Sequence, residues 1–233
     1  MTLVRVIAAM VLGLGVSACA SVETASRNLP YEAAPSGLVA PAPSYQLAGF
    51  DVSVPKTLVV SESNMYYPGG DIVWRGEAYG NRHEQVQAIF EESLRLGAGP
   101  LDGIKPVKVE IEVARFHALT EKTRYTVGGV HSISFTMTII DPDTGVVLRG
   151  PKPIKASLVG YGGQKAVVAE SRGLTQKYRI TQHLARVVRE ELTKAEGFVA
   201  PERGVTQSIR PLEPIGTQLT SPSPAASSVA AQG

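Results

Sequence analysis

The 233-residue chain carries one cysteine, Cys19, and one tryptophan, Trp74. A lone cysteine excludes an internal disulfide framework and a CxxC zinc site, so stability has to come from a packed core. No apolar run approaches the ~20 residues that a spanning helix needs. The four histidines, His83, His117, His131 and His183, stand apart without HExxH or other metal spacing. No Gly-x-Ser-x-Gly elbow is present. The formal net charge is only +2, so the strong basic footprint expected of a nucleic-acid-binding protein is missing. The sequence therefore assigns no metal, no cofactor, no catalytic residue and no nucleic-acid partner. An enzyme lacking these signatures stays open, although its prior is lowered.

What the chain does have begins at its N-terminus. Arg5 precedes an apolar stretch over residues 6–16, which is followed by small residues. That is the layout of an export signal and is too short to be an anchor. Val16-Ser17-Ala18-Cys19 resembles a bacterial lipobox, cut so that the cysteine becomes the first residue. The alternative is an ordinary secretory signal cut after Ala18 or Ala20. The resemblance to bacterial lipoproteins implies a diacylglyceryl thioether on the Cys19 sulfur and a further acyl chain, of the palmitate class, on its amine. Two or more chains anchor stably where one holds only marginally. Ala20 and Ser21, in place of Asp, resemble an outer-membrane sorting signal in a Gram-negative cell. The expected location is thus the cell envelope, lipid-anchored and facing the periplasm.

Composition divides the chain into a signal peptide (1–18), an Ala/Pro/Ser-rich tether (19–46), a domain (47–196) and a Pro/Ser/Ala-rich tail (197–233) expected to be disordered. Without the signal the balance is 22 basic to 21 acidic residues. Inside the domain, residues 50–60 read as a first strand, with Pro55 marking an edge or bulge. Val86, Ile89, Phe90 and Leu94 lie on one stripe of a helix over 82–96, stopped by Gly97. Val107, Val109, Ile111 and Val113 alternate with charged residues, and Ile133, Phe135, Met137 and Ile139 with Ser and Thr, predicting two half-buried strands. Asp141-Pro142-Asp143-Thr144-Gly145 predicts the turn of a hairpin. A strand near 154–160 and one long helix over about 166–194 close the domain, the helix stripe being Leu174, Tyr178, Thr181, Leu184, Val188 and Leu192. This order predicts an α+β two-layer sandwich, a mainly antiparallel sheet with two helices on one face.

Asp71-Ile72-Val73-Trp74-Arg75-Gly76, leading into Asn81-Arg82-His83-Glu84-Gln85-Val86, together with Gly173-Leu174-Thr175-Gln176-Lys177, resembles an uncharacterised family of alphaproteobacterial lipoproteins. The resemblance implies an address and an architecture and carries no catalytic residues. More loosely, the chain is similar to small envelope-assembly lipoproteins, including accessory subunits of secretion and lipid-transport machines.

The best candidate for a functional surface is the loop bearing Tyr66, Tyr67, Trp74 and Arg75, since aromatic and arginine side chains on a rigid scaffold make interface hot spots. The same loop could instead fold back over the sheet with Trp74 as a core anchor. His117 and His131 lie near the ends of two strands that could pair, so they could converge. Glu110 and Glu112 share one strand face, as a reactive carboxylate pair or a solvated edge. Residues 97–103 are glycine-rich but follow a helix and precede a strand, the wrong context for a phosphate loop, and 160–163, which do lie between strand and helix, lack its Lys-Ser/Thr ending. The resulting expectation is a membrane-anchored protein with a non-catalytic binding or assembly role toward an envelope complex or the cell wall. The alternative is an accessory enzyme or a carrier of a small ligand or lipid.

Overall fold

A computed structural model describes residues 42–202, 204–207 and 212 of the chain. Cys19, the signal, most of the tether and the end of the tail lie outside the described residues. Among the described residues seven strands and four helices follow in the order β1 (Tyr45–Ser53), β2 (Ile72–Val73), α1 (Arg82–Ala98), β3 (Lys105–His117), α2 (Glu121–Arg124), β4 (Gly129–Ile140), β5 (Val147–Lys155), β6 (Ser157–Gly160), α3 (Gln164–Ser171), α4 (Gln176–Thr193) and β7 (Val205–Thr206).

The α+β class is as expected, but the sheet is mixed. β3 pairs antiparallel with β4, and β4 with both β5 and β6. β1 and β2, however, both run parallel to β3, and β7 parallel to β6. Alternation in sequence identifies a half-buried strand but not the direction of its neighbour, which explains the difference. The Asp141 turn behaves as read: its Oδ1 accepts from the amides of Asp143 and Thr144 at 3.1 and 3.2 Å, and the chain returns as β5.

Val107, Val109, Ile111 and Val113 of β3 and Ile133, Phe135, Met137 and Ile139 of β4 turn to one face, where α1 and α4 cover them. An edge-to-face series of rings runs through this layer: Trp74 on Phe116 at 5.6 Å between centroids, Phe116 on Phe90 at 6.3 Å and Phe90 on Phe135 at 5.2 Å. Each such pair adds about 0.5–1.5 kcal/mol beyond the area it buries. Asn81 caps α1 through Oδ1, and Arg189 of α4 donates to the carbonyls of Leu96 and Gly97 at its other end.

Three boundaries differ from the sequence reading. The first strand spans Tyr45–Ser53 rather than 50–60 and carries a bulge between Leu47 and Gly49, while Pro55 lies past its end. The predicted long helix is two helices, α3 and α4, broken where Gly173 adopts φ +77° and Thr175 caps α4 by accepting from the Tyr178 amide. Leu174 and Tyr178, placed on its buried stripe, are consequently exposed, whereas Leu184, Val188 and Leu192 are buried. The ordered domain also continues beyond Glu196. Phe198 is buried, its amide donating to the Glu191 carboxylate at 2.7 Å, and Val205–Thr206 joins the sheet.

Candidate functional site

The chain between β1 and α1 travels back along the sheet and adds Ile72 and Val73 beside the C-terminal end of β3. This places residues 64–68 next to α2, where they are tied at both ends. Asn64 accepts from the Lys122 amide at 2.9 Å through Oδ1, and the Met65 carbonyl accepts from Thr120 Oγ1 at 2.8 Å. At the far end His117 Nε2 lies 3.0 Å from the Pro68 carbonyl; a carbonyl can only accept, so Nε2 holds the proton. Between these ties Tyr66 carries Lys122 Nζ 4.6 Å above its ring, and Tyr67 is 92% exposed. The tip is thus a free aromatic on a fixed base.

Across from the tip, Val127 and Val130 are exposed, and a groove of about 420 Å³ opens between the two walls. Tyr66, Tyr67, Pro68, Arg115, His117 and Val130 line it, so apolar surface is bordered by one cation and one imidazole. Its second wall depends on glycine. A Cβ on Gly162 would stand 2.2 Å from the amide nitrogen of Gly128, so the two backbones meet where no side chain fits.

The other two predicted contact residues do different work. Trp74 is fully buried, so it is the core anchor of the two readings and presents no surface to a partner. Its indole N–H donates to Glu77 Oε2 at 2.8 Å, and Glu77 Oε1 in turn accepts from Lys177. Burial is favoured because the ring meets Phe116 while its polar edge keeps an acceptor. Arg75 is a structural tie: it donates to the Glu62 carbonyl at 2.9 Å and pairs with Glu121 at 3.1 Å.

His117 and His131 do not converge. His117 pairs in register with Ser132, so the following pleat turns His131 to the opposite, helix-covered face. His131 accepts from the Leu119 amide at Nδ1; burial, with Arg179 and Arg124 nearby, lowers its pKa to about 3. His183 is lowered to about 4 by burial and the adjacent Arg186. Glu110 lies on the open face, where Lys108 bridges it to Asp51. Among the described residues no group of three His, Cys, Asp or Glu is placed to hold a metal, and no helix is long and apolar enough to cross a membrane.

Sequence reading missed Val127, Val130 and Arg115 as partners of the tyrosines. The signal that could have found them is Gly128-Gly129, a backbone-only wall just before a strand.

The fold and groove define a one-sided α+β domain with an aromatic tip at one end of its sheet. The chain belongs to a family of unknown function, DUF6778, whose model matches residues 45–208. No curated protein matches it. Among solved structures, the crystal structure of protein XCC0632 from Xanthomonas campestris, of family DUF330, is similar at 14% identity with a TM-score of 0.39, over 66% of this chain and 84% of that one. A likeness at that level carries no functional reading.

Proposed function

We propose that this chain is a lipoprotein of the alphaproteobacterial envelope, anchored through lipid on Cys19 and facing the periplasm from the outer membrane, and that it binds another envelope component without catalysing a reaction. Support for the anchor is the signal-like segment ending in Val16-Ser17-Ala18-Cys19. Support for binding is one observation above the others: Tyr67, almost wholly exposed, rises from a loop whose two ends are hydrogen-bonded to β3 and the segment after it. A rigid aromatic loses little conformational entropy on association, which is what an interface anchor requires.

The test is crosslinking and affinity capture from native membranes with wild type, Tyr67→Ala, Cys19→Ala and a distant exposed variant, Tyr79→Ala. A defined complex captured by wild type and by Tyr79→Ala, and lost with Tyr67→Ala, is the expected result. Equal capture by all folded variants would remove the tip from the interface. Fractionation tests the anchor: Cys19→Ala is expected to leave the membrane fraction.

A second reading, carriage of a small ligand, is favoured by the groove's size, which falls within the range of ordinary ligand sites. Ligand binding by the purified chain that Val130→Trp blocks would favour it over docking.

A further inference from the structure

The groove beside Tyr67 opens where β3 and β4 diverge, and one residue of β4 is left there without a strand opposite its main chain. The antiparallel ladder of the two strands ends at His117 with Ser132. Continued in register, it would next set Leu119 against Val130. Leu119 turns away instead: its amide donates to His131 Nδ1 and its carbonyl accepts from Gln176 Nε2, both at 3.3 Å. The direction of the Val130 groups follows from alternation along β4. The Ile133 carbonyl accepts from the Ala156 amide, so Ile133, His131 and Gly129 direct their main-chain groups toward β5 and β6. Ser132 and Val130 direct theirs to the β3 side. On β3 the amides of Phe116 and Ala118 donate to the Asp71 and Val73 carbonyls, so His117 is the last residue to face β4, and it serves Ser132. The N–H and C=O of Val130 therefore point into the groove.

A donor and an acceptor on one extended residue, beside an apolar wall, are what a sheet edge offers to an added strand. We propose that the groove takes an extended peptide segment of the partner, which pairs through its main chain with Val130 and lays an apolar side chain between Tyr67 and Val127. This rests on the binding role proposed above and gives the partner its form. Charge selects what lies next to that side chain. The ion pair of Arg115 with Asp71 is stretched to 3.9 Å, and Asp71 already accepts from the Val59 amide, so an acidic residue of the segment gains a cation. Lys122, over the Tyr66 ring, adds a second positive charge at the rim.

Two measurements on the full chain in detergent test this. In the free protein, the Val130 amide should exchange with solvent at least about tenfold faster than that of His131, which is in the ladder. For the occupant, the probe is a phage-displayed library of random heptapeptides, from which sequences with an acidic residue beside an apolar one are expected. A synthetic copy of the strongest binder should lose about five- to tenfold in affinity when a central amide is N-methylated, and as much against Val130→Pro, each removing one main-chain hydrogen bond. Val130→Pro deletes a donor outside the ladder, where a strand tolerates proline, and is expected to fold. Val130→Ile keeps the amide and should bind within about twofold of wild type. Arg115→Gln should erase the preference for acidic sequences. Should Val130→Pro fail to fold, N-methylation of each peptide amide in turn decides the matter on wild type. Slow exchange at Val130, no selected peptide, or binding indifferent to N-methylation at every position overturns the proposal. An envelope complex lost with Tyr67→Ala but kept by Val130→Pro also overturns it and leaves the binding role standing.

Discussion

Arg82 donates from Nε and Nη2 to the two carboxylate oxygens of Glu62 at 2.6 and 3.0 Å, a two-pronged pair between the first turn of α1 and the loop that carries the tyrosines. The Arg82 hydrogen bond holds the Glu62 carboxyl below its ordinary range, and the Glu62 hydrogen bond raises Arg82 in return. Arg82 is buried, while the Glu62 side chain keeps 34% of its surface.

Removing that pair should loosen the loop before it unfolds the domain. Arg82→Met is expected to cost about 2–3 kcal/mol, the low end for a broken buried pair because Glu62 can still meet water. Urea unfolding gives the cost, and hydrogen exchange should show the amides of residues 59–72 losing protection first. A loss below about 0.5 kcal/mol would mean the loop is held without it.

Trp74 and Tyr67 should separate stability from binding. Trp74→Ala is expected to cost about 3–5 kcal/mol, because a buried ring and its contact with Phe116 are both lost. Tyr67→Ala should stay within about 0.5 kcal/mol of wild type. If Trp74→Ala left the unfolding midpoint in place, its assignment to the core would be wrong.

Acid should weaken the domain well before its carboxylates titrate. His131 and His183 are neutral in the folded state down to about pH 3 and 4, whereas in the unfolded chain they take up protons near 6.5. The unfolded state therefore binds more protons below pH 6.5, and stability falls as pH falls, by about 1.4 kcal/mol per unit for each histidine. Glu62, whose ordinary value is 4.5, adds its own loss only below that pH. Urea midpoints at pH 7, 6 and 5 read the slope, and His183→Gln should halve it. A flat profile over this window would contradict the burial of both imidazoles.

Two glycines should respond unequally to alanine. Gly162→Ala forces a Cβ onto the Gly128 backbone and is expected to cost more than about 2 kcal/mol and to distort the groove. Gly173→Ala meets open space, so only its positive φ counts, at about 1–2 kcal/mol. Equal costs would show that backbone approach at Gly162 is not limiting.

The alternation at 107–113 and 133–139 and the stripe of α1 were legible because each element buries one face, and burial is what periodicity records. The parallel pairing of β1 was not, since it joins segments distant in the chain. Gly173 carried a break signal, but Leu174 and Tyr178 continued the apolar period across it and concealed the stop. At the candidate site, the tyrosines could be read from the sequence, but the role of Trp74 could not. A tryptophan suits a core and an interface equally, and Phe116, the ring that decides between them, lies 42 residues further on.

The parallel pairing of β1 with β3 also fixes an order in time. β1 leaves the ribosome before its partner, yet β2, α1 and their connecting loops all lie between them in the chain. Closing so long a segment is entropically slow, so β1 must wait as an unpaired, half-apolar strand. A chain threaded outward from its N-terminus would therefore expose that strand first and shelter it late, and the interval between those events is when self-association competes most strongly with folding.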